Sequence, residues 1–484
     1  MQSEEIARVI SEVLKRLEKE ELGSVLTAPA PAAFASQPSG CGGVVHPTVD
    51  AAVQAARKAQ NLFQDQGLEV RREVIRAMRK AAIANAERLA KMAVSETGLG
   101  RWEDKVQKNL VCATRTPGVE DLVSRAYTGD KGLTLVEYAP YGVVAAITPS
   151  TNPAATIINN ALSILSAGNS VVFAPHPASF KTCVETMNLL CEAAMSAGAP
   201  RGLIATFEKP SQDNTKNLLA HPDTRVNMVT GGPAIVKVAM TVGKTCKTIA
   251  AGPGNPPVVV DETAVFPKCA QDVIFGASFD NNVLCTAEKE VIVTEAAKER
   301  FLDAMRKDPR AFELNSAQVE QLVKLVIKEG GKGCKDPVLN RDYVGKDASV
   351  IARGIGLTIP EGARLLWAVV GNDHPLVWTE QLMPLLPVTV ARDVDAAIEL
   401  AVQAEGGNRH TAAMHSTNVI NLTKMGRAMQ CSIYVKNGPT LFGLGLGEGY
   451  ATMSIGTPTG DGLTKTSHFA RPLHCALVGA FRIA

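Results

Sequence analysis

Residues 226–242 read VNMVTGGPAIVKVAMTV, and how this stretch folds decides the fold class. Val226 to Thr230 is apolar and β-prone, while Gly231, Gly232 and Pro233 break it. From Ala234 the apolar residues Ile235, Val238, Ala239 and Val242 recur at helical spacing. A strand that passes through a glycine turn into a helix is half of a βαβ unit. With no side chains in the way, backbone N–H groups at such a helix start can face a pyrophosphate. A lone Thr-Gly-Gly is usually just a tight turn, so the surroundings must carry the argument.

Working outward, the alternation continues in both directions. Strands are predicted at 133–137, 143–147, 170–174, 203–207, 245–250 and 258–260, with a helix at 153–166. Beyond Asp261 strands follow at 290–294, 364–370, 388–391 and 432–436, with helices at 316–329 and 394–404. Residues 48–96 are helical throughout, as segments 51–63 and 69–94 separated by Gly67. Alternation at this spacing predicts parallel βαβ units, hence an α/β chain with a doubly wound domain able to hold a nucleotide.

Two further stretches carry chemistry. Residues 276–294, GASFDNNVLCTAEKEVIVT, set Cys285 between a polar turn (Asp280, Asn281, Asn282) and a β-branched strand. Most free cysteines are inert core. A thiol at a turn–strand junction, however, is reachable yet held by a rigid element, which suits a nucleophile. Residues 148–153, TPSTNP, follow a strand and place Asn152 where its amide could donate to an oxyanion.

Composition excludes several classes. Fifty basic against 48 acidic residues leave a net charge of +2, which gives no footprint for nucleic acid. Ten cysteines without a Cys-x-x-Cys pair fit reduced thiols rather than a disulfide frame or zinc site, and no metal is expected. No Asp, Glu, Lys or Arg occurs between Glu137 and Lys181, but Pro140, Gly142, Pro149, Pro153, Gly168, Pro175 and Pro177 interrupt the stretch. A membrane span needs about 20 apolar residues in a row, so buried strands and a helix are expected here.

At the N-terminus, Ile6, Val9, Ile10, Val13, Leu14 and Leu17 form an apolar stripe opposite charges, predicting an amphipathic helix over residues 1–22. The Ala/Pro/Ser/Gly-rich residues 23–43 read as a flexible linker. A lone helix of this length is marginal in water, so its stripe is expected to find a partner surface.

Taken in order and spacing, TPSTNP, TGGP, AAGPGNPP (250–257) and FDNNVLC resemble the aldehyde dehydrogenase superfamily, and more closely the coenzyme A-acylating members used in bacterial microcompartments. The resemblance runs from about Val44 to the end and includes the N-terminal helix and linker. It implies a dinucleotide-binding domain (44–125 and 141–260), a catalytic domain (261–463) and a small β oligomerisation flap (126–140 and 464–484). It further implies that Cys285 is the nucleophile and that Asn152, with the main-chain amide of Cys285, forms the oxyanion hole. NAD, with NADP possible, would sit against Thr148, Pro149, Ser150, Pro175, His176, Thr230, Gly231, Gly232 and Gly252. Glu380 in EQLMP matches a carboxylate that meets the nicotinamide ribose; a solvated surface carboxylate is the competing reading.

Two departures from the hydrolytic members are informative. Their water-activating glutamate is replaced by Ala250, so the acyl-enzyme should outlive water attack and pass to coenzyme A; a general base is typically worth about 10²–10⁴ in rate. Their ribose-binding lysine is replaced by Ala174, ahead of Pro175, His176 and Pro177. The expected reaction is oxidation of a short aldehyde, propionaldehyde ahead of acetaldehyde, to acyl-CoA. The alternatives are a hydrolytic dehydrogenase and a non-catalytic shell-associated scaffold. The resemblance also implies a dimer or tetramer in the bacterial cytoplasm, inside a microcompartment, with the N-terminal helix docked on a shell protein. His410, His415 and residues 437–439 match the same group without a derivable role.

Overall fold

The structure, a computed structural model, describes residues 43–242 and 246–483. The predicted N-terminal helix and nearly all of the linker lie outside the described residues.

Two parallel sheets organise the chain. The first has six strands in the order Val45–His46, Ile204–Phe207, Ser170–Pro175, Val143–Thr148, Thr224–Thr230, Lys247–Ala251. After the edge strand Val45–His46, the chain re-enters near the middle at Val143–Thr148, winds outward on one side, then crosses back to Thr224–Thr230 on the other. All its pairings are parallel. Buried on both faces, Val143–Thr148 and Ser170–Pro175 read as continuous apolar runs rather than alternating ones. Pro153–Ser166 is buried at every residue, in keeping with the absence of charge from residues 138–180. No helix among the described residues is long and apolar enough to cross a membrane.

The second sheet has seven strands in the order Ala311–Glu313, Leu365–Val369, Leu385–Ala391, Glu290–Thr294, Pro257–Val260, Thr411–His415, Ile433–Lys436. Val258, Val260, Val291, Val293, Trp367 and Val388 form the centre of its core with Phe301 and Met305 from a covering helix. A separate antiparallel sheet joins Arg125–Gly129, Gly132–Pro140 and Ala470–Val478. There the strands approach so closely at Gly132 that a Cβ would lie 2.0 Å from the Leu477 carbonyl oxygen.

Several element boundaries differ from expectation, each for a local reason. The helical run 69–94 is two helices, Leu68–Ala84 and Ala86–Thr97, broken at Asn85, whose side chain turns back to the Ala81 carbonyl. The helix predicted to reach Glu329 stops at Val326, and Ile327–Glu329 pairs as a short strand with Val338–Leu339. Thr245, the predicted start of the last strand of the six-stranded sheet, lies outside the described residues.

Candidate active site

The carboxyl ends of the six-stranded sheet open onto a cavity of about 930 Å³. Its position follows from the topology: Val143–Thr148 and Thr224–Thr230 are neighbours whose onward connections run in opposite directions, which leaves a crevice beyond their carboxyl ends. Thr148, Pro149, Ser150, Pro175, His176, Thr230, Gly231 and Gly232 all line it. The helix Pro233–Thr241 begins at this wall, and a Cβ at Gly231 would come within 2.6 Å of Ile235, so glycine keeps the backbone bare at the helix start. Size, position and exposed helix start fit a dinucleotide. Gly252 is not among the lining residues and packs against Pro458 instead.

The other candidate residues cluster at the amino ends of the seven-stranded sheet. Cys285 lies just ahead of Glu290–Thr294, Gly254 ahead of Pro257–Val260, Glu380 ahead of Leu385–Ala391, and His410 ahead of Thr411–His415. A Cβ at Gly254 would lie 2.8 Å from both the Cys285 carbonyl oxygen and His410 Cγ, so the cysteine loop and the imidazole press on this glycine from two sides. Leu382, two residues past Glu380, lines the cavity and ties the two regions together.

The turn before Cys285 is held in an unusual shape. Asp280, Asn281 and Asn282 take φ values of 49°, 51° and 61°, three consecutive left-handed residues. Asp and Asn tolerate that region best after glycine, at a cost of about 1–3 kcal/mol each. Each side chain is fastened. Asp280 accepts from the Arg101 amide at 2.7 Å, Lys105 Nζ at 2.9 Å and Lys108 Nζ, while its own N–H donates to Asp104 Oδ2 at 2.9 Å. Asn281 donates to the Gly345 carbonyl and Asp347 Oδ1. Asn282 donates to the Ala277 and Glu288 carbonyls at 2.8 and 2.9 Å.

Lysines complete the frame. Lys105 and Lys108 are 3 % exposed and belong to the helix Trp102–Arg115; they meet a fully buried Asp280. Lys108 also donates to Asn152 Oδ1, which leaves the Asn152 amide NH₂ as the free end of that side chain apart from a 3.2 Å contact to Thr151 Oγ1. On the other side Lys289, fully buried, donates to Asn282 Oδ1 and to the Asn282 and Leu284 carbonyls at 2.9 and 3.0 Å. It also lies 3.9 Å from Glu380 Oε1, so the carboxylate is ion-paired in the interior rather than solvated at the surface.

The electrostatics follow from this crowding. Cys285 remains partly exposed, but burial and then the Glu380 charge push its thiol up to about 12, against the opposing pull of Lys289, its own backbone amide and Lys108. Burial raises Glu380 to about 7, with Lys289 and the Gly254 amide restraining it. His410 is buried and lowered to about 4 by desolvation and then by Lys289, so it is neutral near pH 7. Its Nδ1 contacts Thr411 Oγ1 at 2.9 Å, and its Nε2 has no hydrogen-bond partner.

Sequence reasoning missed Lys105, Lys108, Lys289 and the helix carrying the first two. Asp104, Lys105 and Lys108 interleaved with Val106 and Leu110 was the available signal: charges on a helix without a clean polar face.

A partly exposed cysteine after a clamped turn, with a dinucleotide-sized crevice and a second α/β sheet, fits an oxidoreductase of the aldehyde dehydrogenase type. The chain belongs to that family: the pattern of the Aldehyde dehydrogenase family matches residues 45–450. It is 49 % identical over 446 residues to an acetylating acetaldehyde dehydrogenase of Salmonella typhimurium, covering 91 % of this chain and 93 % of the relative. Among solved structures it superposes on a propionaldehyde dehydrogenase of Rhodopseudomonas palustris, with coenzyme A bound and a cysteine acylated. That match has TM-score 0.86 and 43 % identity over 90 % of this chain and 98 % of that one. A propionaldehyde dehydrogenase from the fucose-utilisation microcompartment of Clostridium phytofermentans gives TM-score 0.88 at 40 % identity, covering 91 % and 100 %.

Proposed function

We propose that this chain oxidises short aliphatic aldehydes and hands the acyl group to coenzyme A. The carrying observation is Cys285, held on its clamped turn at the meeting of the two sheets, in a chain so similar to an enzyme captured with an acylated cysteine and coenzyme A. Cys285 sulfur adds to the aldehyde carbonyl, and the oxyanion is held by the Asn152 amide and the Cys285 backbone N–H. Thr148, Thr230, Gly231 and Gly232 line the crevice that would hold NAD, whose chemistry is to supply the hydride acceptor by which the adduct becomes a thioester on Cys285. The thiol of coenzyme A then attacks that thioester, acyl-CoA departs and Cys285 is regenerated. Neutral His410, whose Nε2 has no hydrogen-bond partner, would accept the thiol proton.

Ala250 is fully buried and supplies no base, but bases are not absent from the surroundings of Cys285, since Glu380 and His410 both lie there. Preference for a thiol over water therefore cannot follow from Ala250 alone. Glu380 is already engaged by Lys289 and the Gly254 amide, and His410 sits 1 % exposed behind Gly254, an arrangement that leaves neither a ready partner for bulk water.

For the aldehyde, the relatives named above divide between two and three carbons. One methylene in an apolar pocket discriminates by only about 10–200-fold. Acyl-CoA formation over aldehydes of two to four carbons is expected for both acetaldehyde and propionaldehyde. Free acid as the main product would overturn the assignment.

Residence in a microcompartment rests on the Clostridium neighbour and on the amphipathic stripe of residues 1–22. The stripe would dock on a shell protein. A chain lacking residues 1–21 should keep full turnover and lose co-sedimentation with shells; retained co-sedimentation would refute this role. Self-association would use the three-stranded sheet, whose outer strand Ala470–Val478 exposes Leu473, Leu477 and Val478.

A further inference from the structure

The cavity that fits the dinucleotide has an uneven charge. Of the side chains lining it, Lys216 and Arg341 are cationic, and none is an aspartate or glutamate. Lys216 comes from the helix Gln212–Ala220, and Arg341 follows the short strand Val338–Leu339. Neither makes an ion pair among the described residues, and the cavity wall offers no carboxylate to pair with them. His176 completes the set. Its Nδ1 accepts from the Ala178 amide at 3.1 Å, so a neutral ring presents Nε2–H as a donor. Burial, and then the nearby Arg341 guanidinium, lower its pKa and favour that neutral form.

Pockets that prefer a ribose hydroxyl place a carboxylate there, whereas a phosphate calls for arginine. We infer that Arg341, Lys216 and His176 form a subsite for a phosphomonoester on an adenosine ribose. Two molecules could supply it: coenzyme A through its 3′-phosphate, or NADP through its 2′-phosphate. NAD carries only hydroxyls at those positions. The inference rests on the proposed acyl transfer, and it explains how one crevice could tell its two adenine nucleotides apart once Ala174 has removed the lysine that would grip the ribose of both.

The test compares initial rates with coenzyme A against 3′-dephospho-coenzyme A, and with NADP against NAD, in the wild-type chain and in a double Arg341→Gln, Lys216→Gln variant. Wild type should show a KM about tenfold or more lower for the phosphorylated member of at least one pair, the size expected of a charge-assisted contact. In the variant that ratio should fall toward one. Collapse of the coenzyme A ratio assigns the phosphate to the 3′ position, and collapse of the NADP ratio assigns it to the 2′ position. Equal KM values within both pairs in wild type, or ratios the variant leaves unchanged, would overturn the subsite. If wild type makes no acyl-CoA with either thiol, it is the proposed function that fails, and the NADP pair still tests the subsite.

Discussion

Replacing Cys285 with alanine should abolish aldehyde oxidation, with an expected loss of at least about 10⁴-fold, as when a covalent nucleophile is removed. The structure gives the reason: the turn at residues 280–282, fastened by Lys108 and Lys289, leads directly into this residue, whereas Cys112, Cys183, Cys191 and Cys269 are buried in the core and Cys334 and Cys475 lie on the surface. A scaffold that had kept the fold without the chemistry would lose nothing. The thiol carries its own pH signature. With its pKa pushed up to about 12 by burial, the free enzyme holds it protonated at neutral pH. Because only the thiolate reacts, its alkylation by iodoacetamide should quicken about tenfold per pH unit between pH 6 and 9. A plateau near neutrality would show that the thiolate forms without substrate or cofactor. Neutral His410, lowered to about 4, should give turnover no inflection at the usual histidine value near 6.5.

Asp280→Asn should be the most damaging change outside the nucleophile. Asparagine is nearly isosteric and accepts the left-handed backbone at φ 49°, so the substitution removes charge and little else. It leaves Lys105 and Lys108, each 3 % exposed, facing an amide in the interior. Removing one partner from a buried pair costs about 3–5 kcal/mol, because the remaining charge is uncompensated. The midpoint of urea unfolding should fall accordingly. Activity should fall as well, since Lys108 also positions the Asn152 carbonyl oxygen. A double Asp280→Asn, Lys108→Met variant should recover part of the stability, since Lys105 stays uncompensated, but not turnover. Wild-type stability in Asp280→Asn would mean that the lysines are neutral or solvated.

The strand–turn–helix rhythm was readable because short-range patterning dictates it. Residues 153–166 and 290–294 form their elements with the expected boundaries, and the turns after Thr148 and Thr230 line one cavity. What stayed hidden depends on distant partners. Lys105 and Lys108 look like a solvated face until Asp280, more than 170 residues away, arrives between them. Lys289 reads as part of a charged turn, yet it spans the loop ahead of the nucleophile. The roles of His410 and Gly254 exist only where the amino ends of separate strands meet. Buried charge networks of this kind have no periodicity to betray them, because each member answers to a three-dimensional neighbour rather than to its position along the chain.

Acyl transfer from Cys285 is tested most directly by mixing enzyme with aldehyde and NAD and following NADH at 340 nm, first without coenzyme A and then with it. About one equivalent of NADH per Cys285 is expected, with an acyl adduct on that residue by mass spectrometry and steady turnover only once the thiol is added. Steady turnover at a comparable rate without coenzyme A, with free acid accumulating, would contradict it.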